Sequence, residues 1–174
     1  ELIPKRDADN FIDFLKKLKK GLGKKPLTVC VPARIKTLKN DVYDYKRIGK
    51  IADRIMIMAY DEHWTRGPAG SIASIKWCEK IADYAKTVWP TSKYIFGLPF
   101  YGRTWGSEPV TKAYAFNGMN RLAHEKDVVK IEREDGVPHY TYKTEVTVKG
   151  WYKDAYSNVV RSRMYQEKGY DCIA

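Results

Sequence analysis

The stretch that most constrains this chain is Ala52–Trp64, which reads Ala-Asp-Arg-Ile-Met-Ile-Met-Ala-Tyr-Asp-Glu-His-Trp. Arg54 to Ala59 is a short, mostly apolar run, the pattern of a strand buried on both faces of a parallel sheet. Side chains alternate across a strand, so Met56, Met58 and Tyr60 share one face while Ile55, Ile57 and Ala59 share the other. The run then breaks into Asp61, Glu62, His63 and Trp64, with Gly67-Pro68 and Gly70 close behind. Parallel α/β folds place their active sites where buried strands release polar groups from their C-terminal ends. The competing reading is a core strand followed by an ordinary polar loop.

The flanking sequence alternates between helix and strand. Asp7–Leu22 predicts an amphipathic helix with Phe11, Phe14, Leu15, Leu18 and Leu22 as its apolar stripe and Asp7 or Asp9 as its cap. A strand follows at Leu27–Val31, stopped by Pro32, and then a short helix at Tyr45–Lys50. After the Gly-Pro loop, Ser74 caps a helix that Pro90 halts. A strand over Lys93–Phe100 then delivers Tyr101-Gly-Arg103-Thr-Trp105 at its C-terminal end. This is the spacing of βαβ units, which predicts a parallel sheet or barrel.

The rhythm changes after about residue 112. A helix is expected at Asn117–Lys126 and short strands at Val128–Glu132, Tyr140–Lys143 and Val146–Tyr152, with Glu134-Asp135-Gly136 as a turn. Alternation resumes with a helix capped by Asp154 and running to Lys168, then a strand at Asp171–Ala174. The expected organisation is a barrel segment over 1–112, an α+β insertion over 113–152, and a last barrel helix and strand over 153–174.

A length of 174 residues and 44% hydrophobic content suit one globular core rather than a disordered chain. Thirteen Tyr and five Trp offer many aromatic faces, which suit sugars, bases or protein surfaces alike. The net charge of +11 favours polyanions, whether nucleic acid or an acidic cell-wall polymer. Much of that charge is local, in Lys16, Lys17, Lys19, Lys20, Lys24 and Lys25, and reads as a solvated helix face. Cys30, Cys78 and Cys172 sit in apolar runs and read as three buried free thiols. No run of 18 apolar residues is present, so no membrane-spanning helix is expected. A chain opening on Glu1 and closing on Cys172-Ile-Ala reads as cut at both ends.

Met58-Ala-Tyr60-Asp61, Gly97-Leu-Pro-Phe-Tyr101-Gly-Arg103 and Trp151-Tyr-Lys-Asp154-Ala-Tyr-Ser157 together resemble glycoside hydrolase family 18, the chitinase-like (β/α) barrel enzymes. The closer similarity is to the bacterial branch of spore cortex-lytic and peptidoglycan glucosaminidases. The resemblance covers nearly the whole chain. It implies the C-terminal part of a TIM (β/α)8 barrel, about strands five to eight, with a small α+β insertion between the last two. The family's fourth strand ends in Asp-x-x-Asp-x-Asp-x-Glu, often followed by Asn-aliphatic-Pro. Glu1-Leu2-Ile3-Pro4 aligns with that ending, with Leu2 departing from the usual Asn.

What the resemblance implies chemically is a retaining, substrate-assisted cleavage of β-1,4 bonds in N-acetylglucosamine polymers, either peptidoglycan or chitin. The N-acetyl oxygen of the sugar attacks its own anomeric carbon. Glu1 would be the general acid, Tyr60 the hydrogen-bond donor to the N-acetyl carbonyl, and Asp61 the acceptor from the sugars flanking the scissile bond. Met58, Trp64, Tyr101, Arg103 and Trp105 would line the cleft; Trp64 and Trp105 lie just past strand ends, where an indole stacks on a sugar. Trp77, Trp89 and Trp151 are expected to pack. No metal or other cofactor is expected. The expected partners are the polysaccharide or muropeptide and the rest of the barrel, with self-association of the 174 residues alone, which would be inactive; the expected location is secreted or in the cell envelope. Two alternatives are a sugar-binding relative without catalysis and a basic nucleic-acid binder, for which no motif is present.

Overall fold

The computed structural model describes residues 2–106, 112–143 and 147–172. The fold is mixed α/β and divides into two compact units. The first comprises the chain up to Met58, Glu79–Gly97 and the C-terminal segment from Tyr165; the second comprises Ala59–Cys78 and Leu98–Met164. No helix among the described residues is long and apolar enough to cross a membrane.

The first unit is built on a parallel sheet. After a 3-10 turn at Lys5–Asp7 come α1 (Ala8–Leu22), β1 (Thr28–Pro32), α2 (Tyr45–Gly49), β2 (Arg54–Met58), most of α3 (Ile75–Val88) and β3 (Tyr94–Phe96), in strand order β1-β2-β3. Asp44 caps α2 by accepting from the Lys46 and Arg47 amides. Ile55 sits in register with Val29 and Tyr94, and Ile57 with Val31 and Phe96. That face of the sheet is closed: Ile55 and Ile57 have no exposed surface, whereas Met56 and Met58 are half-buried. The expectation of burial on both faces therefore holds for one. Beneath it, Tyr45, Tyr94 and Tyr170 bury their hydroxyls by donating to the carbonyls of Pro32, Ala85 and Ala82. A buried hydroxyl without such an acceptor would cost about 1–3 kcal/mol.

Several expectations for this unit are corrected. α1 buries Ile12 and Leu15, while Phe14 and Leu18 of the expected stripe are exposed. Asp7 stands at the N-cap position without a side-chain cap bond; its carboxylate accepts from Asn10 instead. Cys30 is exposed, Cys172 half-buried and only Cys78 buried, all three as free thiols. β3 is three residues long and does not extend to Phe100. Of the expected strand Asp171–Ala174, Cys172 O accepts from Phe96 N–H at 3.3 Å, and residues 173–174 lie outside the described residues.

The second unit is built on an antiparallel sheet. It contains β4 (Tyr101–Gly106), β5 (Lys112–Ala115), α4 (Phe116–Glu125), β6 (Glu132–Glu134), β7 (Val137–Lys143), β8 (Thr147–Tyr152) and most of α5 (Ala155–Glu167), with strand order β5-β4-β8-β7-β6. Tyr101–Trp105, expected at the C-terminal end of the strand Lys93–Phe100, is thus part of a separate strand in this sheet. Val128–Ile131 is not strand: the Val128 amide bonds back to Ala123 O at the end of α4, and the Val129 side chain is fully exposed. Asp135 and Gly136, at φ 49° and 75°, turn β6 into β7, the left-handed pair of a type I′ hairpin. Met119 and Ala123 of α4 pack with Tyr140 and Tyr152 on one face. Ile72, Trp105, Val137 and Trp151 form the core on the other. Asp154 and Ser157 cap α5 reciprocally, amide to side chain at 2.8 and 2.9 Å.

Candidate active site at the Asp61 turn

Beyond β2 the chain turns sharply at Asp61, whose φ is +59°. Few residues other than glycine adopt this left-handed conformation, and Asp is among those that tolerate it. The turn sets the Asp61 carboxylate against two side chains of β4. Tyr101 and Arg103 are two residues apart and therefore share a face. Their register partners on β5 are Ala115 and Ala113, and on the other side of β4 Arg103 stands opposite Trp151 of β8.

Both side chains converge on one carboxylate oxygen. Tyr101 Oη donates to Asp61 Oδ1 at 2.5 Å, and Arg103 donates to the same atom from Nε at 3.2 Å and Nη2 at 3.0 Å. Arg103 Nη1 reaches Thr65 Oγ1 at 3.0 Å, and the guanidinium lies 5.6 Å from the Tyr101 ring centre. Burial, together with the adjacent Asp61 carboxylate, holds the Tyr101 hydroxyl above its ordinary range, so it remains a donor. The Tyr60 ring meets the Tyr101 ring edge to face at 6.4 Å and 81°. The Asp61 side chain keeps 41% exposure. An ion pair that open contributes little to stability; its effect is to orient the carboxylate. Among the described residues, these bonds all go to Oδ1 and none to Oδ2.

The structure therefore brings together Tyr60, Asp61, Tyr101 and Arg103. Trp64 is close in sequence and 51% exposed. Trp105 is 7% exposed and packs edge to face on Trp151 at 5.4 Å, and its indole N–H donates to Trp64 O at 3.4 Å. Met58 ends β2 in the other unit, opposite Pro32. Glu1 lies outside the described residues. Thr65 went unrecognised in the sequence because its only signal is its contact with Arg103. Among the described residues, no three His, Cys, Asp or Glu side chains converge as metal ligands do.

The second unit also buries two cations. Lys153 Nζ donates to Ala73 O at 2.5 Å, and Arg161 donates to the same carbonyl, to Ser157 O and to Cys78 Sγ. Burial first, and the Arg161 charge second, push the Lys153 amine down to about 6.

The chain is similar to several known proteins. The chain is 35% identical over 111 residues to the uncharacterised glycosylase YvbX of Bacillus subtilis, an alignment covering 60% of this chain and 32% of that protein. It is 28% identical over 182 residues to the cortical fragment-lytic enzyme of Bacillus anthracis, covering 97% of this chain and 42% of that one. The crystal structure of the Bacillus cereus spore cortex-lytic enzyme SleL superposes with a TM-score of 0.86 at 28% identity, covering 99% of this chain and 42% of its own. The chain thus spans less than half the length of each of these relatives. The model of the glycosyl hydrolases family 18 matches residues 2–171, and the chain belongs to that family.

Proposed function

We propose that the protein carrying this chain is a retaining glycosidase that cleaves β-1,4 bonds after N-acetylglucosamine, with the sugar's own N-acetyl oxygen as nucleophile. In this reading β2 is the sixth strand of a (β/α)8 barrel, β1 and β3 are the fifth and seventh, and the five-stranded sheet is the insertion. The observation that carries the reading is the convergence of Tyr101 and Arg103 on Asp61 Oδ1, which leaves the other oxygen to accept from substrate.

The steps follow from the groups available. Tyr60 donates its hydroxyl to the N-acetyl carbonyl and aligns the oxygen for attack on the anomeric carbon. Asp61 accepts from the hydroxyls of the sugars on either side of the scissile bond. Glu1 protonates the leaving oxygen as the glycosidic bond breaks and the oxazolinium ion forms, and water, giving its proton back to Glu1, then opens that ion at the anomeric carbon with retention. Cortical fragment-lytic relatives support peptidoglycan as the polymer and the cell envelope or exterior as the location.

The experiment is the anomeric configuration of the first-formed product, read by NMR, with wild type and Tyr60→Phe in the full-length protein. Retention is expected, and turnover in Tyr60→Phe should fall by about 10²–10³, the usual loss for one donor aimed at developing charge, and far more than folding stability is harmed. An inverted product overturns the mechanism. Sugar binding without hydrolysis in the wild type leaves a sugar-binding protein instead.

A further inference from the structure

The residues after Asp61 are each tied down. Glu62 N–H donates to Ile72 O at 2.9 Å, and its carboxylate accepts the Ser74 amide at 2.6 Å and the Ser74 hydroxyl at 3.0 Å. His63 Nδ1 lies 2.6 Å from Ser71 O. A carbonyl only accepts, so Nδ1 carries the proton and donates. Gly70 packs on the His63 ring so closely that a Cβ there would lie 2.7 Å from three ring atoms. Trp64 O and Thr65 Oγ1 then accept from Trp105 and Arg103.

These bonds close the segment 62–74 into a loop held at both ends by side chains of its first two residues. The loop carries the half-exposed Trp64 indole, and Thr65 holds the nitrogen of Arg103 that Asp61 does not. We propose that Glu62 and His63 are positioning residues of the glycan site: they lock this loop so that Trp64 stands as a fixed stacking face for a sugar. The inference rests on the glycosidase reading above. Neither residue touches the substrate; each acts through the backbone it holds. An indole on an unclamped loop must be ordered at the moment of binding, and that entropy is taken from affinity before it is taken from chemistry.

The test is made in the full-length protein with a soluble N-acetylglucosamine oligomer. His63→Leu keeps bulk and removes the donor; His63→Asn keeps a nitrogen donor near the position of Nδ1. His63→Leu should raise KM about tenfold, the scale of one aromatic stack. Its kcat should stay within about threefold, because the reacting groups are unmoved. His63→Asn should recover most of the loss. In a Trp64→Ala background, His63→Leu should add less than about twofold, because both changes remove one interaction. Equal effects in the two backgrounds, or a fall in kcat at constant KM, overturn the proposal.

Amide hydrogen exchange supplies a readout that needs no hydrolysis. Residues 64–73 should exchange about tenfold faster in His63→Leu while β4 and β8 are unchanged, as expected of local opening. Acceleration of the whole unit, or of none of it, overturns the clamp. If the wild type cleaves no N-acetylglucosamine polymer, the functional reading fails, and exchange alone still decides whether the clamp exists.

Discussion

Lys153 and Arg161 illustrate how much one buried charge governs. Both side chains are enclosed, at 1% and 0% exposure, and both donate to the carbonyl of Ala73. The folded-state value for Lys153 is lowered to about 6 from an ordinary 10.5. Between those two values the unfolded chain binds a proton that the folded chain does not. Stability therefore rises with pH across that window, by at most about 1.4 kcal/mol per pH unit, and is insensitive to this group below about pH 6, where both states are protonated. The midpoint of thermal unfolding should increase from pH 6.5 to pH 9, a range set by those pKa values. Lys153→Met should flatten the increase, which separates this lysine from the general relief of a +11 net charge. An unchanged slope in the variant would show that Lys153 does not carry the effect.

At the scale of elements, glycines on a strand and on a helix are expected to respond in opposite directions. A Cβ on Gly102 would lie 2.3 Å from Tyr152 Cβ and 2.5 Å from Trp151 O, so β4 and β8 would have to part. Gly102→Ala should cost about 1–3 kcal/mol in denaturant unfolding, as overpacking does. It should also impair activity, because β4 carries Tyr101 and Arg103. Gly21 lies in α1, where an added Cβ would meet nothing within 4 Å. Gly21→Ala should therefore stabilise by up to about 1 kcal/mol, through helix propensity alone. A loss of stability there would point to a contact made by the glycine backbone.

For the whole molecule, the parallel sheet has an open consequence. Among the described residues, β1 pairs only with β2, and its alternate residues Val29 and Val31 are apolar and buried. A strand edge with free amides and carbonyls recruits another strand. Three parallel strands are also too few to close a barrel, since closure couples strand number, tilt and register. The 174 residues alone are expected to sediment as associated species and to lack hydrolytic activity. A stable monomer that cleaves chitooligosaccharides would overturn the placement of β1, β2 and β3 as barrel strands.

The sequence by itself determined most of the local elements and the family. Alternation set the faces of Arg54–Met58, Asp154 announced the start of α5, and Glu134-Asp135-Gly136 announced the turn between β6 and β7. These signals are legible because cap, turn and strand period act within a few residues of one another. Only the tertiary structure decided what Tyr101–Trp105 belongs to. Its partner on β8, Trp151 opposite Arg103, lies far along the chain, and no local pattern encodes that pairing. The same pairing buries Trp105, which looks like an exposed aromatic when read alone, and it brings Arg103 to both Asp61 and Thr65. Phe14 and Val129 mislead for a related reason. Apolar character predicts a wish for burial, but burial depends on whether another element arrives to cover the side chain.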